Sequence, residues 1–280
     1  MPSLQVLFLN RSYWPDAEAT GQLLTELAEG LASQFDVSVL VGHPNANLDD
    51  ADYRRQDHGR RHGVRIRRVW HTRFDKRRMW GRLCNLLSYL CMAAPAALFG
   101  RRADVVVVET DPPLLCLIGA MVRRLRGSRL VVYLQDINPD VAIALGKFRN
   151  RGPIRWLRSL LFSVYRKADQ VVVLSEDMRS LLIDEGVSPA RVTCIPNWAD
   201  VTQVRPIKHD NALRNELRAG DRFIVMYSGN MGLTQRLETM LEAAEMLRDD
   251  DRLLFILMGR GASRANLEAL ARAKSLGNVR

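Results

Sequence analysis

A chain of 280 residues, 47% hydrophobic and 26% charged, is long enough for two α/β domains with proper cores and has the make-up of a globular protein. Its formal charge of +10, from 41 basic against 31 acidic residues, implies an anionic partner: a phosphorylated substrate, an acidic membrane or a nucleic acid. Four cysteines (Cys84, Cys91, Cys116, Cys194) without C-x-x-C spacing argue against a disulfide framework or a structural zinc site, and the five histidines (His43, His58, His62, His71, His209) form no ligand-spaced cluster.

Strand and helix patterns alternate from the start. Gln5 to Leu9 reads as a buried strand; it is too short for a signal-peptide core and has no basic segment before it. A polar loop through Trp14-Pro15-Asp16 leads to a helix from about Thr20 to Ser33, with Leu23, Leu24, Leu27, Ala28 and Leu31 on one face. Val37 to Val41 is a strand, Asn45 to Gly63 a surface loop and Val64 to Val69 a strand. Gly81 to Phe99 is a long helix interrupted near Pro95; its apolar run falls short of the roughly 20 residues needed to span a bilayer.

Val105 to Val108 is apolar and β-branched throughout, as in a parallel strand covered on both faces. Leu114 to Leu125 is helical, Leu130 to Leu134 a strand, Ile154 to Lys167 a helix, Val171 to Leu174 a strand, Glu176 to Glu185 a helix capped by Ser175, and Val192 to Ile195 a short strand. This alternation predicts a doubly wound parallel α/β sheet over residues 1–200. Residues 201–220 read as a linker with one short charged helix. The same pattern restarts over 221–280: strand Phe223 to Tyr227, helix Thr234 to Arg248, strand Leu253 to Met258, then another helix. Two strands and two helices make a small second domain, so the chain is expected to be a fragment of a longer protein.

Polar residues gather where strands end. Tyr227-Ser228-Gly229-Asn230-Met231-Gly232 joins a strand to a helix, and glycines there let a backbone approach a phosphate while free amides of the helical turn point at it. Asn230 supplies a donor to phosphate or ribose. Gln235 and Arg236 fall at the expected helix start, with Arg236 placed to neutralise a diphosphate. Gly259-Arg260-Gly261 ends the next strand and lacks the third glycine of a dinucleotide fingerprint. In the first domain, Gln135-Asp136-Ile137-Asn138-Pro139-Asp140 follows a buried strand, Glu109 and Asp111 end its neighbour, and Thr20-Gly21-Gln22 opens a helix. Each alone is also an ordinary turn or cap; several at one sheet edge favour a ligand site. The ligand is expected in a cleft between the two domains.

Arg54, Arg55, Arg60, Arg61, Arg65, Arg67, Arg68, Arg73, Lys76, Arg77, Arg78 and Arg82 face only Asp57 and Asp75 in sequence. A solvated run is the ordinary explanation. This one leads into Met79-Trp80 and an apolar helix, so residues 54–99 are expected to meet an anionic membrane surface.

Taken together, "VLFLNRSYWPDAEATGQLLTELAEGLA", "YLQDINPDVAIALG", "VVVLSEDMRSLL", "IPNWAD" and "YSGNMGLTQRLETMLEAA" resemble bacterial family 4 glycosyltransferases. The nearest branch is the fucosyl- and N-acetylfucosaminyl-transferase-like enzymes of colanic acid and O-antigen synthesis. The resemblance implies a GT-B architecture of two Rossmann-like domains. It implies retaining transfer from a nucleotide-sugar, which is a substrate, with no cofactor and no bound metal. The acceptor, often polyprenyl-linked, belongs to the N-terminal half, at the cytoplasmic membrane face. Asp136 is then the expected catalytic group, with Gly21, Gln135, Glu109 and Asn197 on the substrate. Gly229, Asn230, Gln235 and Arg236 meet the donor diphosphate, and Gly259 and Gly261 flank the nucleotide. Many members carry Arg and Lys where Asn230 and Gln235 stand, and His where Gln135 stands. The family's paired-glutamate motif would lie beyond Arg280, so the chain by itself is expected to be inactive. Two competitors share parts of this pattern. A GT-B sugar-nucleotide epimerase has the same diphosphate loop. A nucleic-acid-binding module needs aromatics among its cations, and the tract offers only Trp70, Phe74 and Trp80, so no nucleic acid is expected.

Overall fold

The computed structural model describes residues 3–16, 18–44, 59–75, 78–202, 204–207, 211–232 and 234–280. They fall into two compact units, Met1–Trp198 and Ala199–Arg280.

The first unit holds eight strands among the described residues: β1 (Gln5–Leu9), β2 (Asp36–Gly42), β3 (Arg60–Arg61), β4 (Val64–Val69), β5 (Val105–Glu109), β6 (Arg129–Tyr133), β7 (Gln170–Val173) and β8 (Val192–Cys194). They form one sheet in the order β3-β4-β2-β1-β5-β6-β7-β8. Only β3 runs antiparallel, against β4. The chain winds outward from β1 to β4, then crosses back and winds the other way from β5. The connectivity therefore reverses between β1 and β5, and the crevice beyond their carboxyl ends is where doubly wound sheets bind ligands.

Side-chain alternation divides the core. Val6, Phe8, Val37, Val39, Val41, Val64 and Ile66 pack on one sheet face with Leu24 and Ala28 of α1 (Ala19–Leu31). The other face carries Leu9, Leu40, Val69, Val106, Val108, Val132 and Val171. It is covered by α2 (Met79–Leu98), α3 (Leu115–Arg126), α5 (Gly152–Lys167) and α6 (Glu176–Asp184). The short α4 (Asp140–Ala144) precedes α5. Helix α3 approaches closely because of Gly119: a Cβ there would stand 2.5 Å from Val108 Cγ2 and 2.7 Å from Leu130 Cδ1. Ser175 caps α6, its hydroxyl accepting from the Met178 amide at 3.3 Å, as expected.

Three expectations change. The helix of α2 is not interrupted at Pro95, which lies inside it; the ring falls in the last turn, and the Pro95 carbonyl still accepts from Phe99 N at 2.9 Å. The surface loop expected over Asn45 to Gly63 lies outside the described residues as far as residue 58, and from Arg60 it pairs with β4 as β3. The basic tract, expected to meet a membrane surface over residues 54–99, is partly drawn into the fold. Arg61 pairs with Glu29 at 2.8 Å and stacks over Trp14, and Arg65 pairs with Asp36. Arg67 donates to Ala96 O, and Arg68 is buried, donating to Gly42 O and Trp14 O. These side chains alternate across β4, so each sheet face takes its share into the fold. Arg54, Arg55, Lys76 and Arg77 lie outside the described residues.

The second unit contains α7 (Ala212–Glu216), β9 (Phe223–Asn230), α8 (Glu238–Met246), β10 (Leu253–Arg260) and α9 (Arg264–Ala273). Strands β9 and β10 form a separate parallel pair. Met231, Leu237, Leu241, Ala244, Phe255 and Leu267 make its core. Residues 278–280 run beside β10, with Phe255 N donating to Asn278 O at 2.8 Å and Arg280 N to Phe255 O at 2.9 Å.

Candidate functional site

In the first unit, the carboxyl ends of β1, β5 and β6 converge. Beyond β1, Arg11 donates from Nη2 to Asp111 Oδ2 at 2.8 Å, and its amide donates to the Asp111 carbonyl at 2.9 Å. Ser12 Oγ donates to Glu18 Oε2 at 3.1 Å. The loops after β1 and β5 are thereby locked together across the sheet's reversal.

Glu109, the last residue of β5, is 2% exposed, and neither carboxyl oxygen has a hydrogen-bond partner among the described residues. Burial, and then the neighbouring Asp111 charge, push its pKa up to about 8. At neutral pH it is a protonated acid facing no partner.

Beside it, the Thr110 hydroxyl accepts from the amides of Gln135 and Asp136 at 3.3 and 3.4 Å, which sets the turn after β6. Gln135 Oε1 accepts from Asn197 Nδ2 at 3.2 Å, and Asn197 Oδ1 accepts from the Tyr133 hydroxyl at 3.3 Å. Gln135 Nε2 is buried without a well-formed hydrogen bond among the described residues, and the Gln135 amide bears on the Tyr133 hydroxyl. Asp136 is exposed, and desolvation within its loop raises its carboxyl pKa. Trp198 Nε1 donates to Glu26 Oε2 of α1 at 2.7 Å, so residues 196–198 strap the far side of the sheet back to α1. The result is a patch of largely uncharged donors and acceptors flanked by one carboxylate, suited to a hydroxyl-rich ligand.

Gly21 lies within the first turns of α1 rather than at its cap, which is Glu18. A Cβ there would stand 3.4 Å from Asp16 Cβ, Ser12 Cβ and Tyr13 N, an ordinary contact, so α1 packs closely on the loop after β1 without the position demanding glycine.

In the second unit, the register sets Gly259 opposite Gly229 and Arg260 opposite Asn230. A Cβ on Gly259 would lie 1.8 Å from the Gly229 carbonyl, and one on Gly261 would lie 2.3 Å from the Met231 carbonyl. Met231 N donates to Arg260 O at 2.8 Å and Met231 O accepts from Ser263 N at 2.9 Å. The two glycine segments are thus one packed edge. The strand continues through Asn230, so Tyr227 to Asn230 is not part of the loop, contrary to expectation. Helix α8 begins at Glu238, so Gln235 and Arg236 precede it instead of opening it. Arg236 adopts φ +46, a left-handed conformation that no helix continues through. Its guanidinium has no partner among the described residues.

Residues 19–198 match the glycosyl transferase 4-like domain family. The chain belongs to this family. Relatives include the putative colanic acid biosynthesis glycosyl transferase WcaI of Escherichia coli K12, 28% identical over 99% of this chain and 70% of that protein. The probable glycosyltransferase WbjE of Pseudomonas aeruginosa is 27% identical over 68% of this chain and 48% of its own length. Among solved structures, Anabaena HepE in complex with UDP superposes with a TM-score of 0.67 at 18% identity, over 99% of this chain and 68% of that one. A putative UDP-N-acetylglucosamine 2-epimerase from Listeria monocytogenes gives 0.55 at 13%, over 99% and 68%. The GT-B, Rossmann-like α/β fold expected from the sequence is therefore present.

In this family member the structure brings Glu109, Gln135, Asp136 and Asn197 to one strand edge, and Gly229, Asn230, Gly259 and Gly261 to another. Arg11, Thr110 and Tyr133 were missed by the sequence reading. Arg11 lies two residues and Thr110 one residue past strand ends, positions that could have flagged them. Tyr133 offers no such signal, because it reads as one more apolar residue of β6.

Among the described residues no group of three or more His, Cys, Asp or Glu side chains could hold a metal ion, and no helix is long and apolar enough to cross a membrane.

Proposed function

We propose that the protein transfers a sugar, with retention of configuration, from a nucleoside diphosphate sugar to a glycan acceptor carried on a lipid, in cell-surface polysaccharide synthesis. The observation that carries this reading is Arg236 in the loop that follows β9, its guanidinium without a partner among the described residues, after the packed glycine edge of β9 and β10. The glycines let the ends of β9 and β10 pack together and so fix the loop that follows β9, and in that loop a guanidinium takes the charge that develops on a departing diphosphate. The reading gives that charge to Arg236, Asn230 and backbone amides, not to a metal. HepE, a structural neighbour, is described with UDP bound, which supports the same donor class here. The neutral hydrogen-bonding patch of Tyr133, Gln135 and Asn197, with Asp136 as the catalytic group and Glu109 behind, suits sugar hydroxyls.

The lipid part of the reading rests on α2. Three of its polar side chains turn inward: Asn85 and Ser88 hold Thr72 and Phe74, and the Tyr89 hydroxyl donates to Asn10 O at 2.7 Å. Trp80, Leu83, Leu87 and Met92 are exposed, Trp80 by 77%. A helix that shows its apolar face outward beside Arg73 and Arg78 is suited to an anionic bilayer surface. On this reading the protein works at the cytoplasmic face of the membrane.

The test is titration of a panel of nucleoside diphosphate sugars, followed by assay with a polyprenyl-linked glycan and determination of the product anomer. Arg236→Ala is expected to weaken diphosphate binding about tenfold or more, the loss of a charge-assisted hydrogen bond. An inverted product would remove the retaining assignment. Epimer formed without acceptor would favour the second reading, which the epimerase neighbour supports.

A further inference from the structure

On the α2 side of the first unit's sheet, a cavity of about 500 Å³ opens between β4 and the end of α2. Arg60, Arg65, Arg67 and Arg101 line it, with Leu7 and Ala96 in its wall. Its floor is the middle of β1, β2 and β4 (Leu7, Ser38 to Leu40, Arg65 to Arg67), away from the carboxyl strand ends described above.

The charges there are poorly balanced. Arg65 and Arg101 grip the same carboxylate, Asp36, the latter at 3.1 Å. That carboxylate is held below the usual range by its hydrogen bond from Arg65. Arg60 is the direct cross-strand partner of Arg65 in the β3–β4 pair, and Arg67 stands two residues along β4 on the same face. Like charges placed directly opposite destabilise a ladder. Arg60 has no hydrogen bond or ion pair among the described residues. Arg65 Nε is buried and unpaired. One carboxylate therefore serves three guanidiniums, with Arg67 a fourth cation on the cavity wall, and an unused Arg65 donor remains inside among the described residues. Arg67 is anchored by its bond to Ala96 O at 3.0 Å, so its head is pre-positioned.

We infer that this cavity is an anion site for a phosphate-class dianion, either a phosphomonoester lipid headgroup or a free phosphate or pyrophosphate. Planar guanidinium forks match phosphate oxygens, and several together compensate a dianion. Phe99, 86% exposed, stands at the end of α2 next to Gly100 of the cavity wall, which places an apolar side chain beside it.

The experiment uses the full chain with inorganic pyrophosphate in calorimetric titration, in the presence of saturating UDP. A second arm uses phosphatidylcholine vesicles with and without phosphatidic acid. Arg60→Glu is the test variant, because it turns the repulsive cross-strand pair into an attractive one. It is expected to unfold no earlier than the wild type, to bind UDP as before and to lose pyrophosphate affinity by tenfold or more. Competition of pyrophosphate with phosphatidic acid vesicles identifies a headgroup as the source; pyrophosphate binding that vesicles leave untouched identifies a soluble anion. The inference falls if Arg60→Glu binds pyrophosphate and vesicles as tightly as the wild type, or if UDP abolishes all pyrophosphate binding. Failure to bind UDP would count against the transferase reading and leave this one standing.

Discussion

Arg11 and Asp111, one hundred residues apart in sequence, join side chains at 2.8 Å and backbones at 2.9 Å where the winding of the sheet reverses. Their side chains are 16% and 32% exposed, so the pair is largely withdrawn from water. Asp111→Asn keeps the shape but removes the charge facing Arg11. The expected cost is about 1–3 kcal/mol, since a mostly buried guanidinium loses its principal partner. Urea denaturation measures it; unchanged stability would mean that the other partners of Arg11, Glu18 at 3.4 Å among them, suffice.

Glu109 should make stability depend on pH in an unusual direction for a carboxylate. Its folded-state pKa is about 8 against an ordinary 4.5, so the folded protein keeps a proton that the unfolded chain releases. The contribution is complete below about pH 4.5 and disappears as pH rises through about 8, at up to about 1.4 kcal/mol per pH unit. Glu109→Gln, neutral throughout, should remove that slope. The variant gains stability over the wild type at about pH 8.5 and shows little gain at about pH 5. Parallel unfolding curves at the two pH values would refute the assignment.

Gly259→Ala should disrupt the second unit. The added methyl would stand 1.8 Å from a backbone carbonyl of the paired strand, which cannot move without parting the ladder. A loss of at least about 1–3 kcal/mol is expected, as for overpacking elsewhere. Gly30→Ala in α1 is the control, because nothing lies within 4 Å of its added carbon. That change should stabilise by roughly 0.5–1 kcal/mol, the helix cost of glycine. Thermal unfolding of the two variants shows opposite shifts if the packing is as described.

Leu87→Ser should weaken association with anionic vesicles. The side chain is 48% exposed and is worth about 1.5–3 kcal/mol if fully buried in lipid, so the loss is about tenfold or more. Flotation with phosphatidylglycerol vesicles reads it directly. Equal flotation of variant and wild type would sever α2 from the membrane reading.

The amino-acid sequence by itself determined the element order, the doubly wound class and most element bounds to within a residue or two. Those depend on local periodicity: Val105 to Val108 admits no other reading than a covered strand, and Leu24 and Ala28 recur at helical spacing. It also marked Glu109, Gln135 and Asp136, because polar residues directly after buried strands must emerge at one sheet edge. Tertiary structure alone decided the rest. The basic tract looked uniform in sequence, yet pairing across the sheet assigned Arg61 to Glu29 and Arg65 to Asp36, partners 32 and 29 positions away that no periodicity announces. The start of α8 moved past Arg236 because its left-handed backbone answers to the packing of Leu237 and Leu241 against Met231, not to helical propensity. Local pattern records which side of an element is apolar. Which charges meet, and which glycines touch, depends on what the fold brings alongside.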